Sequence, residues 1–355
     1  MELRGVVVVE DQGCTDGAVQ GRRVDAFEEV ANRPIIHHVL AAVRGAGAEK
    51  ILLVGSDQTA GGARECLGAI PVDGTSIEFI SHPAPIDMAA GLRLAAEAVG
   101  DAPCIVHAAN VLLDEPLAPY LGRLRGAAPR AMAFVHQAPL AAHGRLNMAT
   151  LQMLRLAELD PDHAAFALAG VWLFGPNGLN SMMAAPWQAN GHVDLTVLAE
   201  RMHTIDGKFD VVTVDSCRRY AGDPLDLLEL NRIALEALHA DVRRPPGNGN
   251  HIEGRVWIHE TATVSSSVIV GPTVIGPDAH IADAYIGPYT SIGAGARIEG
   301  AEIERSIIAA RASVLHVGGR IVASVVGRDA RVFRDFSLPR ALRLRVGDGT
   351  EVALC

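Results

Sequence analysis

Short apolar runs alternate with stretches of helical spacing through the first two thirds of the chain. "VVVV" (residues 6–9), "ILLVGS" (51–56), "IEFIS" (77–81), "CIVHAAN" (104–110), "AMAFVH" (131–136), "ALAGVWLF" (167–174) and "FDVVTVD" (209–215) read as strands. Between them, residues 34–46, 87–99 and 194–202 carry apolar positions at helical spacing, and the first opens on a proline suited to a helix start. This alternation predicts a Rossmann-like, mixed but mainly parallel sheet with helices on both faces. A longer amphipathic pattern at residues 224–240 closes the region.

The period then changes. "DVRRPPGNGNH" (241–251) has the composition of a linker. Beyond it, Val264, Val270, Ile275, Ile281, Ile286, Ile292, Ile298, Ile303 and Ile308 recur at steps of five or six, several followed by glycine. One inward aliphatic per side with small residues at the corners predicts a left-handed parallel β-helix. The expected organisation is an α/β domain over 1–240, a linker over 241–251, a β-helix over 252–335 and a tail over 336–355.

Composition narrows the function classes. The 355 residues are 49% hydrophobic, enough for two filled cores, and the net charge is −10. Basic residues are scattered, so neither nucleic acid nor an anionic membrane is an expected partner. No apolar run approaches the roughly 20 residues that span a bilayer, and the reading is cytoplasmic. Five cysteines, none in a C-x-x-C pair, predict free thiols instead of disulfides or zinc. Only Lys50 and Lys208 are lysines among the 31 basic residues.

Specific stretches carry a resemblance: "EVANRPIIHHVLAAVRGAGAEKILLVG" (29–55), "AGVWLFGP" (169–176), "GHVDLT" (191–196), "LDLLELNRIALE" (225–236) and "SVIVGPTVIGPDAHIADAYIGPYTSIG" (267–293). In this order, nearly the whole chain resembles the sugar-1-phosphate nucleotidyltransferases, and most nearly long-form glucose-1-phosphate thymidylyltransferase. The resemblance implies the nucleotidyltransferase fold followed by a left-handed β-helix. It also implies a glycine-rich G-G-x-G-x-R loop that cradles a nucleoside triphosphate, catalytic lysines, two aspartates on Mg²⁺, and in-line attack by a sugar phosphate. In such a reaction positioning and electrostatics supply nearly all the catalysis.

The residues at those positions depart from the pattern. The two loop glycines fall on Glu10 and Asp11, Gly13 is kept, the arginine position falls on Thr15 and the lysine position on Asp25. Asn110 or Ala109 stands for one metal aspartate and Tyr220 for the other. The sugar-binding stretch keeps Asp194 but has His192 for an acid, and His82 lies near the base-recognition position. Neither lysine falls at a catalytic position; Arg22, Arg23 and Arg219 are the nearest charge substitutes, with a planar fork unlike an ammonium. An acid about 4 Å from a phosphate costs roughly 4 kcal/mol at an effective dielectric of 20.

From this we expect a member of the family that has lost nucleotidyl transfer, with no catalytic residue and no cofactor. It would work as a homo-oligomer, or as a hetero-oligomer with an active enzyme of a sugar or secondary-metabolite pathway. The alternative is an active enzyme with a re-tooled pocket, Mg²⁺-dependent and arginine-based, or using acid and histidine chemistry. The ligand-pocket candidates are Glu10, Asp11, Gly13, Arg22, Arg23, His82, Asp87, Gly144, Gly170, His192 and Asp194. The acids of the first loop read either as a solvated, drifted loop or as a rebuilt site for a cation. Cys14 is a weak nucleophile among them, since neighbouring acids raise a thiol's pKa. His107, His136 and His143 lie near strand ends, where an open α/β sheet has its crevice.

Overall fold

The computed structural model describes residues 2–11, 25–69, 75–125, 131–138, 165–183, 209–238 and 249–336. The chain opens with β1 (Arg4–Val9), then a small hairpin of β2 (Glu29–Val30) and β3 (Arg33–Pro34), and α1 (Ile35–Gly45). Next come β4 (Lys50–Ser56), α2 (Asp57–Ala69), β5 (Ser76–His82) and α3 (Met88–Val99). They lead to β6 (Cys104–Ala108), β7 (Val111–Leu113) and α4 (Ala118–Leu121). β8 (Ala131–Ala138), β9 (Ala165–Phe174), α5 (Gly178–Met183), β10 (Phe209–Val214), β11 (Cys217–Arg219) and α6 (Pro224–Glu236) complete the α/β part.

Seven strands form one sheet in the order β10-β8-β9-β6-β1-β4-β5. All pairs are parallel except those of β9, which runs antiparallel to β6 and β8. Because β1 is central, its four valines are fully buried: Val7 and Val9 pack toward α1, and Val6 and Val8 toward α3. That two-sided burial is why the run shows no alternation. A Cβ at Gly91 of α3 would come within 2.5 Å of Val8, so this glycine lets the helix lie against β1. From β1 the sheet continues to β4 on one side and β6 on the other, which puts a crevice at the carboxyl end of β1.

Two expectations need adjustment. The helix expected over 224–240 spans Pro224–Glu236, capped by Asp223, whose side chain accepts from Leu225 N at 2.9 Å. α2, unforeseen, follows β4 directly; its glycines and weak amphipathy hide it from periodicity. Residues 194–202, also expected as helix, lie outside the described residues.

From β12 (His251–Glu253) to β26 (Arg331–Phe333), short strands wind into three five-stranded parallel sheets, the left-handed β-helix. The inward columns include Ile252, Ile269, Ile286, Ile303 and Ile321 on one side and Val264, Ile281, Ile298, Val314 and Val332 on another. Ile269 is the buried residue of its strand, in place of the expected Val270, because it is the one in register with Ile252 and Ile286.

The two parts share a core. Val274 and Ile307 of the β-helix join the cluster containing Leu230 and Ile233 of α6. The fully buried Asn231 accepts from Ala31 N at 2.8 Å and from the Ser291 hydroxyl, and donates to Tyr289 O at 3.0 Å. Asn32 donates to Ile292 O at 2.7 Å. Tyr289 donates its hydroxyl to Glu236 at 2.6 Å, and Arg255 pairs with the same carboxylate.

Candidate functional site

The carboxyl end of β1 delivers Glu10 and Asp11 to the start of α3. Asp11 Oδ2 accepts from Ile86 N at 2.8 Å, its Oδ1 accepts from the Ser56 hydroxyl at 2.7 Å, and its own amide donates to Ile86 O at 3.0 Å. Glu10 Oε1 accepts from Met88 N at 3.1 Å, and Oε2 pairs with Arg219 Nη1 at 3.1 Å. Asp87 caps the helix by accepting from Ala90 N at 2.7 Å. Glu10 and Asp11 are therefore not the solvated, drifted acids that one sequence reading expected. Amides at and before a helix start have no partner within the helix, and these carboxylates supply one.

Arg219 is placed by two further features. Gly170 has φ +75°, and a Cβ there would lie 2.9 Å from Arg219 Nη2 and 3.1 Å from the Ala108 Cβ. Gly170 thus leaves room for the guanidinium. Below it, His107 is buried with Nδ1 2.8 Å from Ala108 O. Burial pushes this imidazole down to about 4, and the Arg219 charge adds to the effect, so His107 is neutral near pH 7.

Asn110 and Tyr220, far apart in sequence, stand side by side. Tyr220 N donates to Asn110 O at 2.9 Å and Asn110 Nδ2 donates to Tyr220 O at 3.1 Å. The juxtaposition comes from the antiparallel pair β7–β11, in which Arg219 faces Val111. Arg218, next in line, is held by Asp226 at 2.5 Å.

The remaining candidates divide. Glu10, Asp11, Asp87 and Gly170 gather with Asn110 and Tyr220 at one end of the sheet, whereas His82 turns onto its own loop, accepting from Ala84 N at 3.2 Å. Asp25 opens a short 3-10 turn. Gly13, Cys14, Thr15, Arg22, Arg23, His143, Gly144, His192 and Asp194 lie outside the described residues. Sequence reasoning missed Ser56 and the Met88 amide. The signal for Ser56 was present in the parallel register, which ends β1 and β4 together, with Val9 opposite Gly55.

Mg²⁺ prefers carboxylate and water oxygens in octahedral geometry. Asn110 offers a neutral amide already bonded to a carbonyl, and Tyr220 a phenol, so this pair does not fit the ion. Among the described residues no group of three or more His, Cys, Asp or Glu side chains could hold a metal. Of the three cysteines described, Cys66, Cys104 and Cys217, all are free thiols. No described helix is long and apolar enough to cross a membrane.

No family model matches the chain. It is 29% identical over 331 residues to a glucose-1-phosphate thymidylyltransferase of Streptomyces antibioticus, covering 92% of each protein. A protein of the same description from Streptomyces griseus is 28% identical over 324 residues, at 90% coverage of each. The low-salt glycan biosynthesis nucleotidyltransferase of Haloferax volcanii is 25% identical over 334 residues, at 92% coverage of each. The chain is thus similar over about nine tenths of its length to nucleotidyltransferases that act in sugar and glycan chemistry by their descriptions. The fold agrees: a Bacillus anthracis crystal structure, described as a glucose-1-phosphate thymidylyltransferase in complex with sucrose, superposes with a TM-score of 0.55 at 14% identity. The match covers 67% of this chain and 96% of that one. The end of β1 is the place where the resemblance puts a phosphate loop, and here Glu10 and Asp11 stand there.

Proposed function

We propose that this member of the family has lost Mg²⁺-dependent nucleotidyl transfer and serves as a non-catalytic partner in a sugar or secondary-metabolite pathway, as a homo-oligomer or joined to an active enzyme. The observation that carries this reading is the Asn110–Tyr220 pair. Asn110 and Tyr220, which the resemblance aligns with metal aspartates, are neighbours, and both side chains are neutral, with the Asn110 amide donating to the Tyr220 backbone carbonyl. Glu10 and Asp11 add to it: at positions where the resemblance implies a glycine loop, their side chains accept from the Met88 and Ile86 amides. A triphosphate oxygen approaching those amides meets carboxylates, a repulsion of several kcal/mol at contact range.

The test is pyrophosphate release by the full chain with glucose 1-phosphate and each nucleoside triphosphate in the presence of Mg²⁺. The expected result is no turnover above the background rate. Co-purification with, and a rate change in, a pathway enzyme is the positive counterpart. The second reading, arginine-based transfer, is favoured by Arg219, the one cation seen to reach the end of β1 among the described residues. Turnover that disappears in Arg219→Gln would establish it.

A further inference from the structure

The coil that ends at β26 is the least covered part of the solenoid. β24 (Arg320–Val322), β25 (Val325–Val326) and β26 (Arg331–Phe333) each stand last in their sheets, so one edge of all three has no neighbouring strand among the described residues. The inward side chains register this. Ile303 and Val314 of the coil before are fully buried, whereas Ile321 and Val332, which continue their columns, are only half-buried. Outward apolar side chains gather here as well, with Val322 46%, Phe333 54% and Phe336 69% exposed. A bare strand edge beside such a patch is a template for pairing, and a repeat array needs a cap on its last unit.

The sequence that follows has the pattern of such a cap. Residues 337–355, "SLPRALRLRVGDGTEVALC", lie outside the described residues. Leu338 comes one coil after Ile321, in step with the inward column Ile252, Ile269, Ile286, Ile303 and Ile321, and Pro339 has no N–H with which to extend that strand. From Ala341 to Val346 and from Thr350 to Leu354 apolar and polar residues alternate on either side of Gly347, Asp348 and Gly349, the signal of a hairpin with a three-residue loop. Pairing across that loop sets Val346 opposite Thr350, Leu344 opposite Val352 and Leu342 opposite Leu354, all on one face. The same register sets Arg345 opposite Glu351 on the other face. A lone two-stranded hairpin is marginal in water, so this one needs an apolar surface to lie on.

We propose that residues 341–354 form a β-hairpin that covers the open end of the β-helix of its own chain, with its leucine-bearing face over Ile321, Val326 and Val332. The link of residues 337–340 spans at most about 17 Å between Phe336 and Ala341, which delivers the hairpin beside the last coil. A tether that short gives an effective concentration in the millimolar range, above that of a second copy under ordinary conditions. The free end of the solenoid is thereby closed to other proteins, and a partner must use another face.

The experiment is hydrogen exchange read by mass spectrometry. The proteins are the full chain, the chain ended at Phe336, Leu342→Asp combined with Leu344→Asp, and Arg343→Ser as a control on the polar face. In the full chain, segments 341–346 and 350–354 should exchange about tenfold or more slowly than a free peptide of the same sequence. In the shortened and doubly substituted forms, amides of 320–333 should exchange about tenfold or more faster, while those of 268–304 stay unchanged. Arg343→Ser should match the unsubstituted chain. Should either altered form fail to fold, the protection of the hairpin segments in the full chain still decides. Hairpin segments that exchange at the free-peptide rate, or a last coil equally protected with and without the apolar face, overturn the proposal. Protection of 320–333 that falls on dilution overturns it too, and assigns the cover to a second copy. The readout needs no turnover, so it stands apart from the nucleotidyl-transfer assay.

Discussion

Replacing Asn231 by alanine removes a side chain that bonds both the β2–β3 turn and the β-helix. In the intact protein its oxygen accepts from Ala31 N at 2.8 Å and from Ser291, and its amide donates to Tyr289 O at 3.0 Å, with no exposure to solvent. Alanine leaves the Ala31 amide and the Tyr289 carbonyl without this partner in a dry seam. Each orphaned group costs about 1–3 kcal/mol, so the pair costs roughly 2–6 kcal/mol. Total stabilities of folded domains lie near 5–15 kcal/mol, which makes this a large fraction. Urea unfolding followed by circular dichroism reads the change as a lowered midpoint, with Leu225→Ser as the control. Leu225 lies on the same helix but is 64% exposed, so its substitution should change stability by less than about 0.5 kcal/mol. Asn231→Asp should also destabilise, because it keeps the acceptor for Ala31 but cannot donate to Tyr289 and buries a charge. An Asn231→Ala unfolding free energy within about 1 kcal/mol of that of the unsubstituted protein would refute the view that this seam holds the two parts together.

Two further outcomes follow from the site. Gly170→Ala places a Cβ 2.9 Å from Arg219 Nη2 at a φ of +75°, so it should cost about 1–2 kcal/mol and displace the guanidinium; thermal unfolding and the chemical shift of the Arg219 Nε–H check both effects. His107 titrates near 4 when folded against an ordinary 6.5, so between those values the unfolded chain binds the additional proton. Stability from this group is thus complete above pH 6.5 and lost as pH falls toward 4, up to about 3 kcal/mol. An imidazole resonance that titrates above pH 6, assigned to His107 by its absence in His107→Phe, would contradict this.

Much of the architecture was legible because burial imposes a period. The valine run of β1 and the stacked aliphatics of the β-helix are visible as patterns since the sheet centre and the coil interior admit nothing else. Where the period was ambiguous the reading slipped, as at Val270, whose neighbour Ile269 is equally aliphatic and was selected only by register with the coils above and below. The antiparallel course of β9 left no mark, because a strand buried on both faces has the same composition in either direction. At the site, the positions of Asn110 and Tyr220 could be inferred, but their mutual bonds depend on a ladder between β7 and β11 that no local pattern announces. Glu10 illustrates the limit most clearly. Its acidic character was plain, yet whether it faced water or an arginine depended on Arg219, 209 positions later.

The hydrogen bonds at Ala31, Asn32 and Asn231 bear on how this molecule can be rebuilt. A solenoid exchanged from another protein would have to present two carbonyls and a hydroxyl at the places now held by Tyr289, Ser291 and Ile292, to within a few tenths of an ångström. The repeat is therefore not a detachable appendage. Chimeras joined just ahead of His251 should express poorly unless the β2–β3 turn is transplanted with them.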